Sequence, residues 1–147
     1  MQVVLQRVTH ASVAVEDSIV GEIQQGYLLL VGIGSEDNTQ VMQRAAEDIL
    51  KLRLMSDGNG KMGVSIMDST REILAVSQFT LYADFSKGNR PSFHRAAPPV
   101  IAKVLWNTFV AELEKGLGRK IAQGIFGADM KVALCNDGPV TVHLTYT

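Results

Sequence analysis

The chain has 147 residues, of which 46% are hydrophobic and 20% charged, as in an average soluble globular domain and unlike a disordered chain. A formal net charge of −1 gives no bulk attraction to nucleic acid or to an anionic membrane, although a local basic patch is compatible with it. The longest apolar run, 28–31, is far shorter than a membrane span and no signal peptide is recognisable, so we expect one cytoplasmic domain over residues 1–147.

The first part of the chain has the pattern of several strands followed by a helix. The predicted strands are 2–8, a hairpin over 12–24, and 27–33, the last expected to be buried on both faces. Arg7 interrupts an otherwise apolar face of the first strand. Apolar residues then recur near every fourth position, which predicts an amphipathic helix over roughly 38–52 with Asn38 or Thr39 as its cap.

The second part of the chain contains further strands around one more helix. Residues 57–60 form a predicted turn, and 84–99 a loop rich in glycine, proline and basic residues. Apolar spacing from Ile101 predicts a helix that ends before Gly116. The predicted strands are 73–81, 120–125, 130–135 and 140–146. Because most strands follow one another without a helical crossover, we expect an α+β fold, a largely antiparallel or mixed barrel-like sheet with two main helices on one side.

Several familiar chemical motifs are incomplete in this sequence. Gly32 and Gly34 follow an apolar strand, but a dinucleotide-binding fingerprint needs a third glycine where Asp37 stands. No Cys/His cluster has zinc-ligand spacing, so no metal site is expected. Cys135 follows an apolar run, so we expect it to be a buried, small and inert hydrophobe. The alternative is that Cys135 is the nucleophile of a different small ester or thioester hydrolase. His143 lies in an alternating strand and is expected to face solvent.

Three polar segments are candidates for a functional site. Ser77-Gln-Phe-Thr-Leu81 ends an apolar strand with polar side chains, which must find partners or face a cavity because each buried unpaired group costs about 1–3 kcal/mol. Asn136-Asp-Gly-Pro-Val-Thr141 joins two predicted strands, and its Asp-Gly pair alone is an ordinary hairpin signal. The loop 87–95 combines cations with an aromatic residue, a composition that suits phosphates and a stacked base.

Taken together, these segments resemble the D-aminoacyl-tRNA deacylases, the D-tyrosyl-tRNA(Tyr) deacylase family. The likeness runs over essentially the whole chain, and its other motifs are Met-x-Val-Val-x-Gln-Arg-Val8, Asn89-Arg-Pro-Ser-Phe93 and Phe126-Gly-Ala-Asp-Met130. The resemblance implies a cytoplasmic homodimer that hydrolyses the ester of D-aminoacyl-tRNA and releases the free D-amino acid and tRNA. It also implies removal of glycine mischarged on tRNA(Ala), rejection of L-aminoacyl-tRNA, and a role in translational proofreading.

The resemblance also implies which residues form the site. The catalytic residues would be Ser77, Gln78, Phe79 and Thr80, and the substrate-binding residues Arg7, Asn136, Gly138 and Pro139. The Gly138–Pro139 bond is expected to be cis and to reach into the pocket of the partner subunit, with Arg7 holding its loop. The implied partners are the aminoacylated 3′ end of tRNA and a second copy of the chain, and no metal or organic cofactor is implied.

Physical chemistry is consistent with these roles and leaves the nucleophile open. Main-chain carbonyls can bond the substrate ammonium and exclude a wrongly directed side chain, so they sense handedness at Cα without reading the side chain. Amides around Gln78, Phe79 and Thr80 are candidates to bind the developing oxyanion. Thr80 has no base near it in sequence, so substrate-assisted attack by water is preferred to attack by Thr80. A non-catalytic RNA-binding or dimerisation module is the remaining alternative.

Overall fold

The computed structural model describes residues 1–147, which form eight strands and two α-helices. In chain order these are β1 (Gln2–Val15), β2 (Ser18–Ile23), β3 (Gly26–Gly32), α1 (Thr39–Lys51), β4 (Met55–Ser56), β5 (Met62–Val64), β6 (Glu72–Ser77), a 3₁₀ turn (Phe79–Tyr82), α2 (Pro99–Leu117), β7 (Ala122–Gln123) and β8 (Lys131–Thr145).

One mixed, nearly closed sheet organises the fold. Its strand order is β2-β1-β3-β6-β7, and β8 pairs with the long central strand β1. Strand β1 is antiparallel to β2, β3 and β8, whereas β3–β6 and β6–β7 are parallel. The parallel pairs occur where α1 and α2 carry the chain across the sheet, as a helical crossover requires. Strand β2 returns against β7, where Gly21 approaches the backbone of Gln123.

Strand β1 is longer than the sequence pattern predicts. The predicted strand 2–8 and the first arm of the hairpin 12–24 belong to one continuous strand. The ladder of this strand with β8 shifts register on both sides of Val8. This bulge interrupts the inside–outside alternation that signals a strand, so the pattern falls into two parts. The predicted turn at Glu16 and Asp17 is confirmed, and both residues have positive φ.

The two helices pack together on one face of the sheet, as predicted. Helix α1 begins after Asn38, whose side chain accepts a 3.1 Å hydrogen bond from the Val41 amide. Helix α2 continues to Leu117, so the expectation that Gly116 lies beyond its end is wrong. Gly116 lies against the Leu50 side chain of α1, where a Cβ atom has no room, so glycine serves the helix–helix contact. Neither helix has the length and apolar character that crossing a bilayer needs.

Strand β3 is buried on both faces, as its unbroken apolar run predicts. Tyr27 and Leu29 belong to the larger core between the sheet and the helices. Leu28 belongs to a second cluster inside the curved sheet, together with Leu74 and Val76 of β6. The carboxyl ends of β3 and β6 therefore lie side by side between two apolar layers, and the polar segment after β6 emerges there.

Candidate active site

The segment after β6 leaves the sheet earlier than predicted. The predicted strand 73–81 ends at Ser77, and only the Gln78 amide continues the pairing, with a 2.7 Å hydrogen bond to the Val31 carbonyl. Gln78 then turns the chain with φ −144° and ψ 77° into the 3₁₀ turn Phe79–Tyr82. The assignment of residues 78–81 to a strand is wrong. Polar and apolar residues alternate in this segment as they would in a strand, but the segment forms a turn at the strand end.

The 3₁₀ turn leaves two backbone donors without a protein acceptor. Its first internal bond runs from the Leu81 amide to the Gln78 carbonyl at 3.3 Å, so the N–H groups of Phe79 and Thr80 precede any internal partner. No side chain caps them. The Gln78 side-chain amide donates to the Thr80 hydroxyl instead, which ties the first two polar side chains of the turn together. Two neighbouring amides are therefore free to bind an oxygen of a ligand.

A largely apolar cavity of about 690 Å³ opens beside this turn. Ser77, Gln78 and Phe79 line it, whereas Thr80 does not. Phe79 meets Phe93 edge to face, with ring centroids 4.9 Å apart. The remaining wall includes Pro98, Pro99, Ala102, Phe126, Met130 and Val132. Such a volume with few polar groups is typical of a site for a small organic ligand.

The basic loop, residues 87–95, lies at the rim of this cavity. Backbone hydrogen bonds of 2.8 and 2.9 Å between Asp84 and Ser92 close its base. His94 lines the cavity, and its Nδ1 lies 3.1 Å from the Ser92 hydroxyl and 3.9 Å from the Asp84 carboxylate. The backbone amide of Ser86 bonds the Asp84 carboxylate and holds the pKa of Asp84 below its usual range. Asp84 therefore stays negatively charged beside the basic loop, which carries the positive charge of Arg95.

The segment 136–141 is not the predicted hairpin. Both of its ends pair with the same strand, Asn136 with Val8 and Thr141 with Gln6, so the residues between them bulge out of one antiparallel ladder. The Asn136 side chain closes the bulge, accepting 2.9 Å from the Val140 amide and donating 2.8 Å to the Thr141 hydroxyl. Local Asp-Gly chemistry is the same in a bulge and in a hairpin, which is why sequence alone does not separate them.

The tip of this bulge is exposed and has an unusual backbone. Gly138 has φ +128°, a conformation that side-chain-bearing residues rarely adopt. The Gly138–Pro139 peptide bond is cis, the isomer that the resemblance implies. Both residues face solvent. The tip of the bulge is therefore accessible on the surface of the single chain.

Arg7 holds the bulge from below. Its side chain is 91% buried, and its Nε donates 3.1 Å to the Asp137 carbonyl and lies 3.3 Å from the Asp137 carboxylate. Its Nη1 donates 2.9 Å to the Leu54 carbonyl and 3.3 Å to the Ser56 hydroxyl. A planar guanidinium is suited to such divergent bonds. Arg7 thus connects β1, the strand β4 and the Gly138–Pro139 bulge.

We expect Arg7→Ala to lower the free energy of unfolding by roughly 2–4 kcal/mol, since buried acceptors lose charge-assisted hydrogen bonds. Arg7→Lys should recover only part of this, because an ammonium lacks the fork that reaches both Asp137 and Leu54. Urea unfolding measures both values. Arg53→Ala is the matched control: Arg53 also bonds a backbone carbonyl, that of Gly63, but it is exposed. Equal losses for Arg7→Ala and Arg53→Ala would contradict the assignment.

Within one chain, the catalytic candidates at the 3₁₀ turn and the substrate-binding candidates at the bulge 136–141 lie far apart. Ser77 pairs with Val31 at one end of β3. At the other end Gly26 lies opposite Val8, which is the partner of Asn136. Five residue steps of about 3.3 Å separate these ends, so the 3₁₀ turn and the bulge lie about 17 Å apart along the strand direction. Strands β3 and β1 also lie between β6 and β8.

Cys135 and His143 are both exposed. The expectation of a buried cysteine is wrong because the apolar residues before it, Ala133 and Leu134, are themselves exposed in β8. Cys135 lies opposite His10 in the ladder but forms no hydrogen bond with it, and the Thr9 hydroxyl lies 3.2 Å from His10 Nδ1. Cys135 is also not part of the cavity wall. The expectation for His143 is confirmed, and its Nε2 lies 2.6 Å from the Gln2 side-chain oxygen.

The cavity wall also contains Phe126 and Met130, to which the sequence assigns no individual role, and Phe93, the aromatic residue of the loop 87–95. These residues come from two segments that are distant in sequence from Ser77. Their motifs 89–93 and 126–130 are visible in the sequence, but no local pattern indicates that they meet the end of β6. Pro98 and Pro99 at the start of α2 are the one local signal, since they fix a helix start that the fold places at the cavity.

Comparisons with known proteins identify the family of the chain. The family model described as D-Tyr-tRNA(Tyr) deacylase matches residues 4–145. The D-aminoacyl-tRNA deacylase of Flavobacterium psychrophilum (strain ATCC 49511 / DSM 21280 / CIP 103535 / JIP02/86) is 51% identical over 142 residues, covering 97% of this chain and 95% of the relative.

Two solved structures share the fold. One, a c-Myc DNA unwinding element binding protein, has a TM-score of 0.91 and 42% identity, covering 99% of this chain and 98% of the other. A probable eukaryotic D-amino acid tRNA deacylase has a TM-score of 0.86 at 17% identity, with 97% of each chain covered, and supports the fold alone. On the family match and the sequence identity, the chain belongs to the D-Tyr-tRNA(Tyr) deacylase family and is a D-aminoacyl-tRNA deacylase.

Proposed function

We propose that the chain cleaves the ester of D-aminoacyl-tRNA in the cavity beside the 3₁₀ turn and acts in chiral proofreading in the cytoplasm. The observation that carries this proposal is the pair of free, neighbouring N–H groups of Phe79 and Thr80 in a turn whose first residue, Phe79, lines an apolar cavity. Backbone donors in a water-poor site stabilise the oxyanion of acyl transfer, and each is worth about 2.7–4 kcal/mol in known hydrolases.

Attack by water suits this geometry better than attack by Thr80. The Thr80 hydroxyl accepts a hydrogen bond from the Gln78 side-chain amide, which lowers its electron density instead of removing its proton. A nucleophilic hydroxyl needs an adjacent base, and neither a histidine nor a carboxylate bonds Thr80. The substrate supplies the missing help, because a free ribose hydroxyl adjoins the ester. Thr80→Ala should therefore retain single-turnover hydrolysis, whereas attack by Thr80 predicts its complete loss.

Selection against L-amino acids would come from Gly138 and Pro139 of a second copy. The 3₁₀ turn and the bulge lie at opposite ends of β3 in each chain. If two copies pack face to face about a twofold axis near the middle of the sheet, the bulge of each reaches the cavity of the other. The sheet face between the two ends carries exposed polar side chains, including Thr141, His143 and Thr145, and is open in the single chain.

Carbonyl groups at the tip of the bulge fit the task of chiral selection. Gly138 and Pro139 offer acceptors for the substrate ammonium without a side chain of their own that would read the amino acid. An L-residue would direct its side chain at these carbonyls, whereas a D-residue or glycine would not. The same geometry leads us to propose activity on glycine mischarged on tRNA(Ala).

The rest of the tRNA end would contact the cavity wall and the basic loop. Phe79 and Phe93 offer aromatic surface to a terminal base. Lys87, Arg90 and Arg95 supply cations for a few phosphates near the 3′ end. Because the net charge is −1, we propose that the chain recognises only the 3′ end of tRNA. We do not propose a broad contact with nucleic acid, although one structural relative is named a DNA unwinding element binding protein.

The experiment that tests this function compares matched D- and L-tyrosyl-tRNA and scores free tyrosine. We expect the D-ester to be hydrolysed at least about 10²-fold faster than the L-ester. Equal rates, or none with the D-ester, would contradict the proposal, and tRNA binding without hydrolysis would favour the non-catalytic module. Cys135→Ala is the control for a cysteine-dependent hydrolase. It should keep nearly full activity, since Cys135 lies outside the cavity.

A further inference from the structure

Gly32, the last residue of β3, and Gly34, two residues later, lie directly against the 3₁₀ turn. A Cβ atom on Gly32 would lie 3.1 Å from the Gln78 carbonyl oxygen and 3.1 Å from Leu81 Cβ. A Cβ atom on Gly34 would lie 2.5 Å from the Tyr82 hydroxyl oxygen and 2.8 Å from Tyr82 Cζ. Any side chain at these positions would therefore push one end of the turn.

These glycines are needed for space and not for backbone freedom. Neither Gly32 nor Gly34 has a positive φ, so alanine can adopt the backbone conformation of each. The Gly-x-Gly pattern, which is incomplete as a nucleotide-binding fingerprint, thus has a different physical explanation. It provides a surface without side chains on which the turn packs.

The contact at Gly32 controls the direction of one free amide. The Gln78 carbonyl and the Phe79 N–H belong to the same planar peptide unit, in which the oxygen and the hydrogen point in opposite directions. The Gln78 amide is already anchored 2.7 Å from the Val31 carbonyl. Displacing the carbonyl oxygen by a few tenths of an ångström must therefore tilt the Phe79 N–H.

We propose that Gly32 and Gly34 are positioning residues of the hydrolytic reaction, which hold the 3₁₀ turn so that the Phe79 N–H meets the oxyanion. This inference rests on the proposed function, in which that N–H stabilises the transition state. Gly32 supports the start of the turn, and Gly34 supports its end through the Tyr82 ring. Their effect is exerted in the transition state and not in the binding of tRNA.

The test measures kcat and KM for D-tyrosyl-tRNA in Gly32→Ala, Gly34→Ala, Tyr82→Ala and the double variant Gly34→Ala/Tyr82→Ala. We expect each single glycine variant to lower kcat about tenfold with KM within about twofold, because a small misplacement of a transition-state donor affects rate and not affinity. The double variant should return to within about threefold of Tyr82→Ala, since it lacks the hydroxyl and the ring carbons that a Cβ atom at position 34 would meet. Gly63→Ala is the matched control, because nothing lies within 4 Å of its Cβ position.

Each outcome has a defined meaning. Unchanged kcat in folded Gly32→Ala and Gly34→Ala, or a loss confined to KM, would overturn the inference while leaving the proposed function intact. Loss of folding in both variants, scored by circular dichroism, would assign the glycines to the core and would also overturn it. If only Gly32→Ala fails to fold, the rescue of Gly34→Ala by Tyr82→Ala decides between the inference and its rejection. A wild-type protein that does not hydrolyse the D-ester would refute the proposed function itself.

Discussion

Phe79→Pro is expected to lower kcat for D-tyrosyl-tRNA by about 10²–10³-fold relative to Phe79→Ala. Both substitutions remove the aromatic ring, but only proline removes the backbone N–H that is free to bind the oxyanion. Proline is compatible with the first position of a helical turn, and the φ of −144° at Gln78 suits a residue before proline. The difference between the two variants therefore isolates one hydrogen-bond donor.

The comparison also separates binding from chemistry. Phe79→Ala removes the contact with Phe93, so its own effect should appear mainly in KM. Single-turnover rates at saturating enzyme give the chemical step for each variant. If Phe79→Pro reacts within about threefold of Phe79→Ala, the Phe79 amide is not part of the oxyanion site and the proposed mechanism fails.

A mixed dimer of two inactive variants is expected to recover about half of the wild-type activity, because one of its two sites combines an intact turn with an intact bulge. The variants are Phe79→Pro and Gly138→Ala. In the second, a Cβ atom would lie 2.8 Å from Val140 Cγ2 at a backbone φ of +128°, so the bulge must move and the carbonyl groups proposed to bind the substrate ammonium move with it. Coexpression with two different C-terminal affinity tags and sequential purification yields the mixed species.

The controls for this experiment are the two variants alone, each of which should remain inactive as a homodimer. Native mass spectrometry confirms that the purified species contains one chain of each kind. If the mixed dimer forms and shows no activity, turn and bulge act within one chain, contrary to their separation of about 17 Å. A protein that remains monomeric and active would exclude the shared site altogether.

Much of the fold follows from the order of apolar and polar residues. The double-sided burial of β3, the Asn38 cap of α1 and the packing of both helices on one face agree with the sequence patterns. The errors occur where a tertiary contact replaces a local preference. Gly116 reads as a helix end but supports the contact with Leu50, and the bulge at Val8 conceals the continuity of β1.

The candidate site is less accessible to sequence reasoning than the fold. The resemblance to the family, and not the local pattern, indicates the candidate site residues, and their roles remain predictions. These residues are Ser77, Gln78, Phe79, Thr80, Arg7, Asn136, Gly138 and Pro139. The cavity requires the fold, because Phe93 and Phe126 reach it from segments far from Ser77 in sequence.

By itself the sequence determined most of the elements and the double-sided burial of β3, because these depend on residue types at short, regular spacing, and it indicated the family through its motifs. Only the tertiary structure decided that β6 ends at Ser77, that residues 136–141 bulge from a single ladder, and that the turn and the bulge lie at opposite ends of β3. The physical reason is that strand pairing and close packing join residues distant in sequence. Local periodicity contains no information about which backbone will lie against Gly32 or beneath Gly138.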